Sequence, residues 1–207
     1  MNSMKLSDHH DFTELQDQLK FYGKDHTYKL NGVEIPSVTT VLGAHKPIPK
    51  FLLMKDSFKM LTSFGKLVHA CVEADCNGFD RPEEHMENAY KKADMVIDWL
   101  ESVSAEVVAV EQRVFEGGWW FCGTFDLLVY IDNKLTIIDV KTSAMSTRAK
   151  YQVGAYWDAM EFMGIKIDSG LVVSVKEDEV NVKSVSQKNR EKWREIMLAF
   201  NKGEFDE

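Results

Sequence analysis

The sequence predicts an α/β fold: a mixed central β-sheet flanked by helices, preceded by an N-terminal hairpin and a helical region. Three observations carry this expectation. Apolar, β-branched runs at 106–115, 119–131 and 135–140 read as consecutive strands. A helical stretch at 147–163 separates them from a fourth run at 169–175, giving the order βββαβ. Helical periodicity fills 50–103 ahead of the sheet and 187–201 behind it. With 207 residues, 44% of them hydrophobic, the chain is long enough to bury a substantial core as a single domain.

Taken in order, residues 1–25 are a polar arm, loose or with one short helix. Residues 26–104 form the hairpin and helical region, 105–176 the core, and 177–207 a C-terminal helix. In the hairpin, 28–35, Asn31-Gly32 supplies a type I′ turn. Pro36 ends it, and Ser37 is placed to cap a short helix beginning at Val38. Pro47 and Pro49 break the chain before a helical stretch at 50–77. There Phe51, Met54, Phe58, Leu61, Phe64, Val68 and Val72 recur at spacings of three and four, with Gly65 as a junction between two helices. A further helix is expected at 83–103. Asp132-Asn133 makes the tight turn between the second and third strands of the core, and Gly164 closes the helix that follows them.

The chemistry concentrates between Gly123 and Tyr156. Side chains alternate along a strand, so Asp139 and Lys141 share a face while Val140 points away. Pairing of the hairpin can bring Asp126, in Gly123-Thr-Phe-Asp126, opposite the end of the second strand. Two carboxylates and a lysine then converge. Mg²⁺ and Mn²⁺ take oxygen ligands, commonly one or two carboxylates with waters and substrate phosphate, and a lysine beside them can orient water or neutralise phosphorane charge. The plain alternative for Asp-x-Lys is a surface salt bridge. Upstream, His69 and Glu73 are one helical turn apart on one face. Glu111 stands mid-strand, where an acid is costly to bury unless paired or metal-bound; it joins the site or pairs with Arg113. Gln152 and Tyr156 face one way on the helix after the hairpin.

The order Gly123-x-x-Asp126, Asp139-Val-Lys141-Thr142, Gln152-x-x-x-Tyr156 resembles the PD-(D/E)xK nuclease superfamily, above all its RecB-like exonuclease branch, which includes phage exonucleases and the mitochondrial genome-maintenance exonuclease. Gly65-x-x-x-His69-x-x-x-Glu73 and Pro36-Ser37-Val38-Thr39 are similar to upstream segments of that branch, so the resemblance spans about residues 35–175. It implies a restriction-endonuclease-like core and metal-dependent hydrolysis of DNA, as an exonuclease on single-stranded or end-containing DNA. By resemblance, His69, Asp126, Asp139 and the Val140 carbonyl hold Mg²⁺ or Mn²⁺, Lys141 activates water, and Glu73 and Glu111 ligate or support the ligands. Gln152, Tyr156, Ser37, Thr142 and Arg148 contact substrate. The alternative is a catalytically silent or partner-dependent subunit of a recombination or repair assembly.

The net charge of −8 opposes phosphate binding in bulk, yet its distribution matters more than the sum. Residues 45–66 hold five lysines (46, 50, 55, 59 and 66) against Asp56. Acids gather instead at Glu83, Glu84 and Glu87 and at residues 177–179. Cys71, Cys76 and Cys122 form no CxxC pair, so no iron–sulfur cluster is expected. There is no apolar run of the ~20 residues a membrane span needs and no hydrophobic signal core at the N-terminus. The expectation is a cytoplasmic protein, in the host cytoplasm if phage-encoded, that is neither secreted nor bound to membrane.

Overall fold

The computed structural model describes Leu6 and residues 10–23, 27–83 and 86–205. The remainder of the expected arm and Glu84 of the acidic cluster lie outside the described residues. Among the described residues the protein is α/β, with a mixed five-stranded sheet and a three-stranded antiparallel sheet flanked by seven helices.

The expected arm contains α1 (His10–Gln18) and β1 (Leu19–Tyr22), which lengthens the hairpin of β2 (Thr27–Leu30) and β3 (Val33–Ile35) into a third antiparallel strand. Asn31 and Gly32 both have positive φ (50° and 85°), the type I′ turn their sequence demands. Leu19, Tyr28 and Ile35 from this small sheet bury against Cys122. Ser37 caps α2 (Val38–His45), its Oγ accepting from the Thr40 N–H at 3.1 Å.

The helical stretch at 50–77 breaks at Met54–Lys55, giving α3 (Lys50–Leu53) and α4 (Asp56–Asn77), and not at Gly65. Gly65 lies inside α4, where a Cβ would sit 3.4 Å from the Thr142 hydroxyl; its role is close approach of the helix. Of the apolar stripe read from the sequence, Val68 and Val72 are buried, but Phe51, Met54 and Leu61 are exposed. Helix α5 (Glu87–Ser102) starts later than the acidic run suggests and buries Ala89, Ala93, Val96 and Leu100.

Strands β4 (Glu106–Glu116), β5 (Phe121–Ile131) and β6 (Lys134–Lys141) pair antiparallel; α6 (Thr147–Phe162) then crosses to β7 (Ser169–Lys176), which lies parallel to β6. Trp119 and Trp120 fall in the turn before β5 rather than in it, Trp120 having φ 64°. Asp132 and Asn133 (φ 50° and 59°) form the β5–β6 turn. The segment expected to be wholly C-terminal helix also holds β8 (Glu179–Ser184), an antiparallel edge strand on β7, before α7 (Gln187–Asn201). Most of its side chains are exposed, so it lacks the apolar run that announces a strand.

Each face of the large sheet buries its own core. On one, Phe121, Phe125, Leu128 and Ile137 pack against α2, α6 and α7, with Phe121 edge-on to Trp193 at 5.0 Å between ring centroids. On the other, Leu127, Val129, Ile138 and Val140 pack against α4 and α5. Full burial of each such side chain contributes about 1.5–3 kcal/mol.

Helix α7 is also held by charge. Asp158 on α6 accepts from Arg190 Nε and Nη2 (2.8 and 2.6 Å) and from Arg194 Nε and Nη2 (2.7 and 2.8 Å), with the Asp158 and Arg190 side chains both largely buried. Removing one member of a buried pair strands the other's charge. Asp158→Ala is therefore expected to cost about 3–5 kcal/mol of unfolding free energy in urea denaturation; a loss below ~1 kcal/mol would show that apolar contacts alone seat α7.

Candidate active site

The antiparallel ladder of β5 and β6 runs to the pair Leu127↔Ile138. Beyond it Asp126 reaches across, its Oδ2 accepting from the Val140 N–H at 2.6 Å. A carboxylate thus takes over where a backbone carbonyl would have stood, leaving Oδ1 for other partners. The parallel ladder with β7 holds β6 straight through Asp139 and Lys141. Both side chains project as the strand period requires: Lys141 Nζ donates to Asp139 Oδ1 at 2.7 Å, while Val140 buries in the opposite core. The ion pair is no surface bridge, since the Asp139 side chain is 0% exposed.

Helix α4 delivers His69, whose Nδ1 lies 3.4 Å from Asp126 Oδ1 and 3.4 Å from Glu111 Oε1. Glu111 therefore belongs to the site. Arg113, its alternative partner, instead donates to Gln16. Glu111 also has φ 49° within β4. A left-handed glutamate inside a strand is strained, typically by about 1–3 kcal/mol, and the Val110↔Leu127 and Gln112↔Phe125 pairs keep one register on either side of it. The residue carrying that strain is the one whose carboxylate meets His69. No sequence signal gave it beyond an acid among valines.

His69, Glu111 and Asp126 each offer a ligand atom, all within 4.8 Å of one another, a group able to hold a metal ion. Asp139 stands outside that trio, bound to Lys141, with its Oδ2 buried and without a hydrogen-bond partner among the described residues. An unsatisfied buried carboxylate oxygen costs free energy that a cation would recover. The donor set of three carboxylates and one imidazole suits Mn²⁺ well, and Mg²⁺ through its oxygens.

The protonation states reflect the same crowding. Burial pushes Asp139 up to about 7, against the opposing pull of Lys141. Burial also raises Glu111, partly offset by His69. Asp126 is buried too, yet the imidazolium of His69 and the Lys141 ammonium hold it below the usual carboxylate range. Burial disfavours charge on His69, but Asp126 and Glu111 prevail and carry it to about 10. Lys141 likewise stays above its ordinary value despite burial, because Asp139 and Asp126 surround it.

The remaining expected residues distribute unevenly over a cleft of about 890 Å³ lined by His69, Glu73, Glu111, Val140, Lys141, Thr142, Gln152, Tyr156 and Ser37, with Lys66 at its wall. Glu73 is exposed there, a turn beyond His69. The Ser37 hydroxyl is taken up in capping and in contacts with Thr39 and Thr40. Gln152 Nε2 donates to Tyr156 Oη at 2.9 Å. A Cβ on Gly123 would lie 2.6 Å from the Tyr156 ring, so the glycine lets that ring lie on β5. Arg148 is not on the cleft wall; its guanidinium donates to the carbonyls of Thr39 and Lys46, tying α6 to α2.

No protein-family model matches the chain, and no curated protein matches it. Among solved structures, a protein assigned as an exonuclease from Eubacterium rectale is similar at 12% identity and a TM-score of 0.48, over 67% of this chain and 65% of that one. An alkaline exonuclease from Laribacter hongkongensis is similar at 10% identity and a TM-score of 0.43, over 80% and 86% of the two chains. The chain thus spans about 65% of the first of these structures. These are likenesses of fold; the architecture and the motif order agree with the resemblance to PD-(D/E)xK nucleases, and the chemistry of the site rests on its own geometry.

The His69 cluster has a pH signature. Its folded pKa of about 10 exceeds the model value of 6.5, so the pairing stabilises the metal-free protein fully below pH ~6.5 and is lost as pH rises through ~10. The Tm difference between wild type and His69→Ala, measured by calorimetry in chelator, is expected to shrink steadily across that interval. A difference independent of pH would mean that His69 carries no ion pair.

Proposed function

We propose that this protein is a metal-dependent deoxyribonuclease, an exonuclease acting on single-stranded or end-containing DNA. The observation that carries the reading is the convergence of His69, Glu111 and Asp126 beside a buried Asp139 whose second oxygen lacks a partner, with Lys141 bridging to the cleft.

His69, Glu111, Asp126 and Asp139 would hold Mg²⁺ or Mn²⁺. The bound ion would supply Lewis acidity toward a phosphoryl oxygen and a more acidic water. Asp126 keeps its position through the Val140 N–H. Lys141 is an ammonium in the metal-free site, raised by its carboxylate neighbours. In that state it orients water by donation and neutralises charge building on the phosphorane; acting as a base would first require losing that proton. Thr142 and Lys66 on the cleft wall are placed to meet substrate phosphate oxygens. Gln152 and Tyr156 brace β5 where Asp126 leaves the ladder. A second reading, a subunit that cuts only with a partner, draws on the bulk charge of −8.

The test is a time course on single-stranded DNA labelled separately at each end, in Mg²⁺ or Mn²⁺. Wild type is expected to cut, with chelator abolishing cleavage, and Lys141→Ala and Asp126→Asn to lose at least about 100-fold in rate. DNA that is bound but never cut with either metal would transfer the proposal to the partner-dependent reading. Because metal must displace protons from these ligands, Mn²⁺ affinity measured by calorimetric titration is also expected to rise between pH 6 and 8.5. A flat profile would exclude His69 and Asp139 from the ligand set.

A further inference from the structure

The cleft has a second wall that the metal cluster does not use. It is built by the small N-terminal sheet and includes Phe21, Gly23, Tyr28 and Thr124. On β1, Phe21 shares the face of Leu19, which is fully buried, but Phe21 itself is 40% exposed. The apolar face of the small sheet therefore runs out into the same cleft that holds His69, Glu111 and Lys141. Phe21 pairs across the ladder with Tyr28, their ring centroids 4.7 Å apart. Tyr28 is buried, and its hydroxyl bonds Thr124 Oγ1 at 2.9 Å. Thr124 is two residues before Asp126 on β5, so the aromatic pair is fixed to the strand that carries the carboxylate.

We propose that Phe21, backed by Tyr28, is a stacking platform for an unpaired base of a single-stranded DNA substrate, one wall away from the carboxylate cluster. The inference rests on the nuclease reading and narrows it to the class of strand. Phosphate contacts alone do not distinguish single strands from duplexes, and an aromatic face can be covered only by a base that has left its stack. The composition of the cleft suits both halves of a nucleotide. Lys66, Lys141 and the Thr62 and Thr142 hydroxyls can meet the backbone, and Phe21 and Leu61 give it apolar surface. Because every base has a π-face, such a platform grips without reading sequence, as an enzyme advancing along a strand requires.

The test compares two ligands, a short oligothymidylate and the same sugar–phosphate backbone with abasic residues throughout. Binding is measured by fluorescence anisotropy in Ca²⁺, for wild type, Phe21→Trp and Phe21→Leu, beside the cleavage assay on the same proteins. Stacking on one aromatic ring contributes about 5- to 150-fold in affinity. Wild type and Phe21→Trp are expected to prefer the oligothymidylate. Phe21→Leu, which keeps an apolar side chain but no ring, is expected to reduce that preference by at least about 5-fold while binding the abasic strand as before. Equal preference in wild type and Phe21→Leu, with cleavage intact, would overturn the platform and leave the nuclease standing. Failure of wild type to bind or cut either strand would overturn both.

Discussion

The arrangement of this protein turns on a carboxylate where water cannot reach it. Asp139 is fully buried at the end of β6, one oxygen paired with Lys141 and the other without a partner among the described residues. Burying a charge this way is unfavourable unless something of opposite sign is close by. The surrounding groups answer that need in part. Lys141 supplies one positive charge, and His69 supplies another to the neighbouring Asp126 and Glu111. Three carboxylates in this space still exceed two cations, and Asp139 is accordingly pushed to about 7. The excess of negative potential is the physical property a metal centre needs, set before any metal arrives.

Holding such a cluster requires a rigid frame, and the separated pieces of the motif prove to be parts of one. Gly123 leaves room for the Tyr156 ring, Gln152 fixes the Tyr156 hydroxyl, and α6 is anchored in turn to α7 by Asp158 with Arg190 and Arg194. The spacing Gly-x-x-Asp followed by Gln-x-x-x-Tyr is then a packing relation: the helix presses on β5 just before the residue that must leave the ladder. Gly65 does the same for α4, which approaches Thr142 closely enough to bring His69 to Asp126.

What the sequence made legible follows from how local the physics is. The strands of the large sheet from β4 to β7, α6 and α7 could be read because apolar runs, turn residues and capping are local signals, as Asp132-Asn133 shows. The convergence of Asp126, Asp139 and Lys141 followed from strand alternation and hairpin pairing. Strand β8 could not be read, because an exposed edge strand needs few apolar side chains. Nor could the membership of Glu111, which depends on a left-handed backbone that no residue type announces. Arg148 reads as a free basic residue in sequence, whereas its donors are occupied by carbonyls that only the tertiary fold brings near.

The helix α4 shows why pattern alone misjudged its first half. Its apolar residues keep helical spacing from Phe58 onward, yet burial begins only at Leu67, where the sheet and α5 supply a surface to cover them. Before that point Met60 and Leu61 are exposed, with Lys59 and Lys66 among them, and Leu61, Thr62, Gly65 and Lys66 form cleft wall. Periodicity reports that a helix has an apolar face, not that the protein covers it. In a chain whose net charge is −8, a half-helix with apolar and cationic side chains turned toward the carboxylate cluster is where attraction for a nucleic-acid strand can overcome the repulsion of the whole. One helix thus places the ligand His69 with its buried half and builds the approach to it with the other.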